Sequence, residues 1–334
     1  MKLWQRLSAS VVLSGVAAVS TPHVASAQTA IKIDGSSTVF PIAEAVAEEF
    51  QIAKRGKVRV TVGIAGTGGG FKRFCRGETD ISNASRPILK EEMEACRAAG
   101  IKYLELPVAF DALTVVVNPQ NTWVKTLTIA DLKKMWEPSA QQRVTRWNQV
   151  RSEWPNEPLM LFGAGADSGT FDYFTEAVNG RAKSTRGDYT ASEDDNVLVQ
   201  GVENNKNALG YFGYAYYVAH KDKMRAVEIV NPKGQPVGPS IDNVNNGTYQ
   251  PLSRPLFIYV RDTAATRPEV KEFIDFYLTK GADLVKEVGY VPLPAASYQL
   301  TLKHFKEQKL GTVFGGVAEV GVTIESLLAR EGKL

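Results

Sequence analysis

The chain has 334 residues, 44% of them hydrophobic and 22% charged, with 39 Lys and Arg against 36 Asp and Glu. This is globular composition, with more length than one small core needs, so two lobes are the natural expectation. A formal net charge of +3 gives no electrostatic reason to expect nucleic acid as a partner.

Residues 1–27 stand apart from the rest. Lys2 and Arg6 precede the apolar run LSASVVLSGVAAV, which closes on VASA with Ala25 and Ala27 at small-residue spacing. That is the pattern of a secretory signal peptide cut before Gln28. No later segment approaches the roughly 20 apolar residues of a membrane span, so no membrane insertion is expected of the mature chain. The two cysteines, Cys75 and Cys96, would lie in an oxidising compartment, where a bond between them is the expectation and a pair of buried free thiols the alternative.

From Ile31 onward, short β-like runs alternate with helical ones, the pattern of an α/β protein. IKID leads through GSSTVFP into a helix with Ile42, Ala43, Val46, Ala47 and Phe50 on one face and Pro41 in its first turn. KVRVTVGI alternates as a strand, and AGTGGG turns the chain into a short helix holding Phe71 and Phe74. A strand at TDISNAS, a break at Pro87 and a helix through Cys96 ending at Gly100 follow.

YLELPVAFDALTVVVNP supplies one or two strands, and in TIAD Thr128 can cap a helix while Asp131 answers three residues later. PLMLF reads as a buried strand running into GADSGTFDYF, whose FDYFTEAV forms the next helix. SEDDNVLVQGV has the composition of a capped helix and NALGYFGYAYY that of an aromatic-rich strand. The stretch from NPKGQ to LSRP is loop-like, LFIYV is a strand, and residues 268–279 form an amphipathic helix.

Four turns share one composition: GSSTVF, GTGGG, NASRP and DSGTF. Each follows an expected strand, so each can aim unpaired N–H groups and hydroxyls at the carboxyl end of a sheet, where anions and ligands of open α/β sheets sit. Singly, each has a plain structural reading. GTGGG can be only a tight turn, Ser168 and Thr170 only helix caps, Ser85 a polar strand end and Arg86 a surface ion-pair partner. Arg86 between two hydroxyl-bearing turns also suits a multidentate oxyanion.

Chemistry fares less well. GTGGGFKR lacks the Gly-Lys-Ser/Thr ending of a nucleotide loop. A serine enzyme needs a base, and the mature chain offers only His220 and His304, both in charged, surface-like sequence. Two cysteines and two histidines without clustered spacing make a poor metal site, so neither metal nor other cofactor is expected. Asp194 and Asp195 look like capping residues for the helix after them.

Taken in order, DGSSTVFP, GTGGGFKRFCRGETDISNASRP, LTIADLKKMW, ADSGTFDYF and NALGYFGYAYY resemble the periplasmic phosphate-binding proteins of Pst ABC transporters, over about residues 31–290. The resemblance implies a two-lobed type II periplasmic binding protein, each lobe a mixed sheet flanked by helices, with a buried anion in the cleft between them. It implies that Ser37, Thr38 and Val39 form the first phosphate turn, that Thr67 stands for a serine of the Gly-rich turn, and that Ser168, Gly169 and Thr170 close over the anion. Where many members carry Asp in the third turn this chain has Ser85 and Arg86, and where they carry Arg four residues before the Ser-Gly-Thr serine it has Ala164. Arg86 is then expected to supply the positive charge.

Asp167, Asp194 and Asp195 are the candidates to accept the phosphate proton, without which selectivity against sulfate or arsenate is open. The expected protein is a monomeric, non-enzymatic periplasmic receptor that hands inorganic phosphate to an inner-membrane ABC permease. Its lobes are residues 28–112 with 254–334, and 113–253. The rivals are a receptor for another tetrahedral oxyanion and a secreted phosphatase using Ser168 or Thr67.

Overall fold

The computed structural model describes residues 29–317 and 319–333, so the expected signal peptide lies outside the described residues. The first strand, β1 (Thr29–Gly35), carries the alternating Ile31 and Ile33 into the core and pairs in parallel with β2 (Val58–Val62) and with β3 (Ile81–Ala84). Between them run α1 (Phe40–Ala53), which buries the five apolar positions read from the sequence, and α2 (Gly66–Phe74). Next comes α3 (Lys90–Ala98), after which Gly100 turns the chain at φ +71°.

The stretch YLELPVAFDALTVVV is one strand, β4 (Tyr103–Val117), with all fifteen residues buried. Covered on both faces, it reads as a continuous apolar run rather than an alternating one. It joins two halves of a ten-stranded sheet. Residues 103–112 pair antiparallel with the return strand Ser253–Arg261, which itself pairs with β3; residues 113–117 pair antiparallel with the strand Ala208–Gly213. Beyond that strand, Met160–Ala164 and then Thr190–Ser192 add on in parallel.

Three departures from the sequence reading have local causes. The strand in NALGYFGYAYY ends at Gly213, and Tyr214–Ala219 is a short helix; aromatic content spoke for a strand, but Gly213 is where the chain turns. The helix from Pro268 runs to Glu287, past residue 279, because Gly281 lies buried against the ring of Tyr277 and close packing offsets its poor helix propensity. The loop-like stretch before the return strand contains a short helix, Ile241–Asn245, capped by the Ser240 side chain. Thr128 and Asp131 do form the reciprocal cap of the helix Ile129–Trp136, through Asp131 N–H to Thr128 Oγ1 at 3.1 Å and Thr128 N–H to Asp131 Oδ2 at 2.8 Å. Cys75, just after α2, is bonded to Cys96 in α3, with Cα atoms 4.3 Å apart. No helix among the described residues is long and apolar enough to cross a membrane.

Candidate anion site between the two halves of the sheet

Each of the four polar turns leaves the carboxyl end of a strand, and the strand order brings all four to one place. β1 delivers Ser36, Ser37 and Thr38 to the head of α1; β2 delivers Gly66 and Thr67 to the head of α2; β3 delivers Ser85. From the other half of the sheet, Met160–Ala164 delivers Ser168, Gly169 and Thr170 to the head of the helix Gly169–Asn179. The first N–H groups of a helix have no partner within it, so three helix heads facing one another concentrate donors and positive dipole ends.

The contacts across the junction are close. Thr38 Oγ1 and Thr170 Oγ1 are 2.9 Å apart, and Thr67 Oγ1 is 3.2 Å from Ser85 Oγ and accepts from Ser85 N–H at 3.1 Å. Gly68 N–H donates to the carbonyl of Asp167 at 2.8 Å. A methyl group on Gly169 would lie 2.4 Å from Thr67 Oγ1 and 2.6 Å from Ser85 Oγ, so only glycine lets the helix head come this near. Ser168 caps its helix by accepting from Thr170 N–H at 3.1 Å. The cap is therefore present, and the two histidines among the described residues lie elsewhere, His220 at the Tyr216 carbonyl and His304 at Glu331. Ser37, Thr38, Val39, Thr67, Ser85, Ser168 and Thr170 are all at most 2% exposed, and Gly169 is buried as well.

The guanidinium that bridges Thr38 and Thr170 belongs to Arg254, a residue the sequence reading did not name. Arg254, fully buried at the start of the return strand, donates from Nη2 to Thr38 Oγ1 at 3.2 Å and to Thr170 Oγ1 at 2.8 Å, and from Nη1 to the Gly169 carbonyl at 3.3 Å. Asp111, in the middle of β4, anchors it from behind: Oδ2 accepts from Nη2 at 3.1 Å and from Nε at 3.3 Å. Burial pushes the Asp111 carboxyl up from its ordinary range, against the pull of Arg254.

Arg86 is equally buried but its guanidinium is engaged elsewhere. Nε donates to Asp172 Oδ2 at 2.6 Å, Nη1 to Glu92 Oε2 at 2.8 Å and to the Pro87 carbonyl at 3.0 Å, and Nη2 to Glu92 Oε1 at 2.7 Å. Four of its five N–H groups are taken by the protein itself.

Of the three carboxylates named from the sequence, only Asp195 reaches the buried polar turns. Asp167 pairs with Lys72 at the surface, 2.6 Å away, and Asp194 caps its helix through Asn196 N–H. Asp195 is fully buried; Oδ1 accepts from Ser37 Oγ at 3.3 Å and Oδ2 faces Gly213 N–H at 3.5 Å. Burial pushes its carboxyl up to about 7, with the Gly213 N–H and Arg254 pulling the other way. His304, expected at the surface, is buried: it packs against the C-terminal helix, its Nδ1 3.2 Å from Glu331.

Sequence reading passed over Arg254 and Asp111. Both carry a readable mark, since each is a lone charge beside or within an uninterrupted apolar strand run, SRPLFIYV and VAFDALTVVV, and such a charge must find a partner when buried.

Residues 20–280 match the family model of the PBP superfamily domain. The chain belongs to that superfamily. It is 55% identical to protein SphX of Synechococcus elongatus over 98% of this chain and 97% of that one. It is 39% identical to the phosphate-binding protein PstS of Staphylococcus haemolyticus, over 83% of this chain and 85% of that one. A solved structure from Clostridium perfringens, an ABC transporter substrate-binding protein with phosphate bound, superposes with a TM-score of 0.67 at 27% identity, covering 80% of this chain and 100% of that one. The superfamily assignment accords with the α/β sheet halves joined by crossing strands.

Proposed function

We propose that this chain is a solute receptor that closes around inorganic phosphate and delivers it to an ABC permease, without turnover. The observation that carries the reading is Arg254: one buried guanidinium holding together hydroxyls from both halves of the sheet, at the meeting point of three helix heads. A tetrahedral oxyanion entering between Thr38, Thr67, Ser85 and the Ser168–Thr170 turn would take hydroxyl and N–H donors from every side and a charge-assisted bond from Arg254. Such bonds are strong where water is excluded. In this reading residues 28–112 with 254–334 form one lobe and 113–253 the other. β4 and the return strand are the hinge, and closure is favoured by the anion's preference for the closed form. Residues 1–27 direct the chain to the periplasm, where it acts as a monomer.

Asp195 supplies the selectivity. As a buried acceptor at the junction, its carboxylate can take a hydrogen bond from phosphate, which keeps a proton at neutral pH, whereas sulfate has none to offer and meets an acceptor it cannot pair with. Calorimetric titration of ligand-stripped protein with phosphate and with sulfate tests the reading; tight phosphate binding and weak sulfate binding are expected. Asp195→Asn should narrow the difference between the two anions by at least about tenfold, the scale of one charged hydrogen bond. Equal affinities for the two anions in the wild type would overturn the assignment of selectivity, and hydrolysis of a phosphoester would overturn the receptor reading itself.

A further inference from the structure

Arg86 stands in one of the four turns, and four of its N–H groups bind protein, one of them across the junction. Its partners come from both halves of the sheet. Glu92 lies in the first turn of α3, on the same side as Arg86, and receives a two-pronged bond. Asp172 lies in the first turn of the helix Gly169–Asn179, on the other side, and receives Nε at 2.6 Å. Arg86 and Asp172 side chains are 1% and 2% exposed. Despite burial, which works against the charge, Glu92 and Asp172 hold the guanidinium pKa above its ordinary value. Asp172 Oδ1 has no hydrogen-bond partner among the described residues, so Arg86 Nε is the bond that satisfies this carboxylate from outside its own helix.

The same flank carries two more cross-junction ion pairs, Lys72 with Asp167 at 2.6 Å and Lys183 with Glu91 at 3.2 Å. They rim a cavity of about 300 Å³ that also touches Arg86, Glu92 and Asp172. The rim pairs are half-exposed and worth little each. The inner triad differs, because leaving either member of a buried pair without its partner is strongly destabilising.

We propose that Arg86, oriented by Glu92, and Asp172 form an ion latch that is made only when the two halves of the molecule are together, with Asp172 a positioning residue that sets how slowly the anion leaves. Arg86 then acts on affinity without touching the ligand. When the halves separate, water solvates Arg86 Nε and Asp172 alike. When they meet with one partner missing, the other is buried unpaired. The latch thus adds directional selectivity to closure and bears on dissociation more than on encounter.

This inference rests on the receptor reading above. Stopped-flow association and dissociation of phosphate, with full-length mature wild type and the variants Asp172→Ala, Asp172→Asn, Arg86→Ala and the Arg86→Ala/Asp172→Ala pair, tests it. Asp172→Ala should raise the dissociation rate about tenfold and leave the association rate within about twofold, as expected when one charged hydrogen bond is lost after encounter. Arg86→Ala should add little in the Asp172→Ala background. Should Asp172→Ala not fold, Asp172→Asn carries the test, with a dissociation rate raised about threefold. A wild-type dissociation rate in the Asp172 variants overturns the latch, and so does an Arg86→Ala effect as large with Asp172 removed as with it present, which would make Arg86 a ligand. If wild type binds no phosphate, the receptor reading falls. The latch is then judged by small-angle scattering, where the Asp172→Ala chain must be more open than wild type and an equal radius of gyration overturns it.

Discussion

Arg254 and Asp111 illustrate how a buried charge is made tolerable and useful at once. Asp111 pairs with the guanidinium through Nε and Nη2 and fixes its plane, while Nη2 also reaches Thr38 and Thr170 and Nη1 the Gly169 carbonyl. A lysine in that place would be a single point charge without a fork. Arg254→Lys should therefore weaken phosphate binding by about 10-fold to 150-fold, the range of one to two kcal-scale charged contacts, while preserving the far-ultraviolet circular dichroism of the wild type. Calorimetry decides, and an affinity within threefold of wild type would remove Arg254 from the site. The turns themselves were legible in the sequence because hydroxyl-rich strand-to-helix turns carry a local signature. Which arginine faces which partner was not: Arg86 sits in a turn and Arg254 at a strand end 168 positions later, and only the sheet order decides that the second, not the first, meets Thr38 and Thr170.

At the scale of elements, helix starts were read well where side chain and backbone answer each other, as Thr128 and Asp131 do, since that reciprocity is local. The length of β4 was not, because a strand buried on both faces loses the alternation that marks its ends, and neither was the end of the helix at Glu287, which depends on packing around Gly281. The α2–α3 pair offers a direct test of stabilisation. Cys75 and Cys96 close a loop with a sequence separation of 21, and a cross-link of that span contributes roughly 3 kcal/mol by restricting the unfolded chain. Cys75→Ser/Cys96→Ser should lower stability by about that amount in urea unfolding, with little change in the slope if the native fold is kept. An unchanged midpoint would place the two sulfurs outside the stability of the fold.

For the molecule as a whole, three buried acids bias stability with pH in one direction. Burial pushes Asp195 and Glu105 up to about 7 and Glu331 up to about 8. Each of these folded-state values exceeds that of the unfolded chain, near 4. The folded form therefore binds more protons between about pH 4 and 8, so the contribution is fully present below pH 4 and is lost as pH rises through 7 and 8. His304, whose pKa burial lowers, acts in the opposite sense as pH falls through the unfolded value. The midpoint of chemical unfolding for the phosphate-free protein should accordingly be lower at pH 9 than at pH 6, and a higher midpoint at pH 9 would refute the burial of these acids. The α/β class and the order of elements followed from alternating periodicities, which are properties of short windows. The closing of ten strands into one sheet rests on pairings far apart in sequence, which no window contains.

The single run of β4 through both halves has a consequence for how the molecule can be dissected. Residues 113–117 pair with Ala208–Gly213 in the second half and are also the continuation of a strand whose first ten residues are held by the return strand. Severed at that point, the piece comprising 113–253 would keep that pairing but lose the long partner that continues the strand, and a β-margin left open to its own copies invites polymerisation.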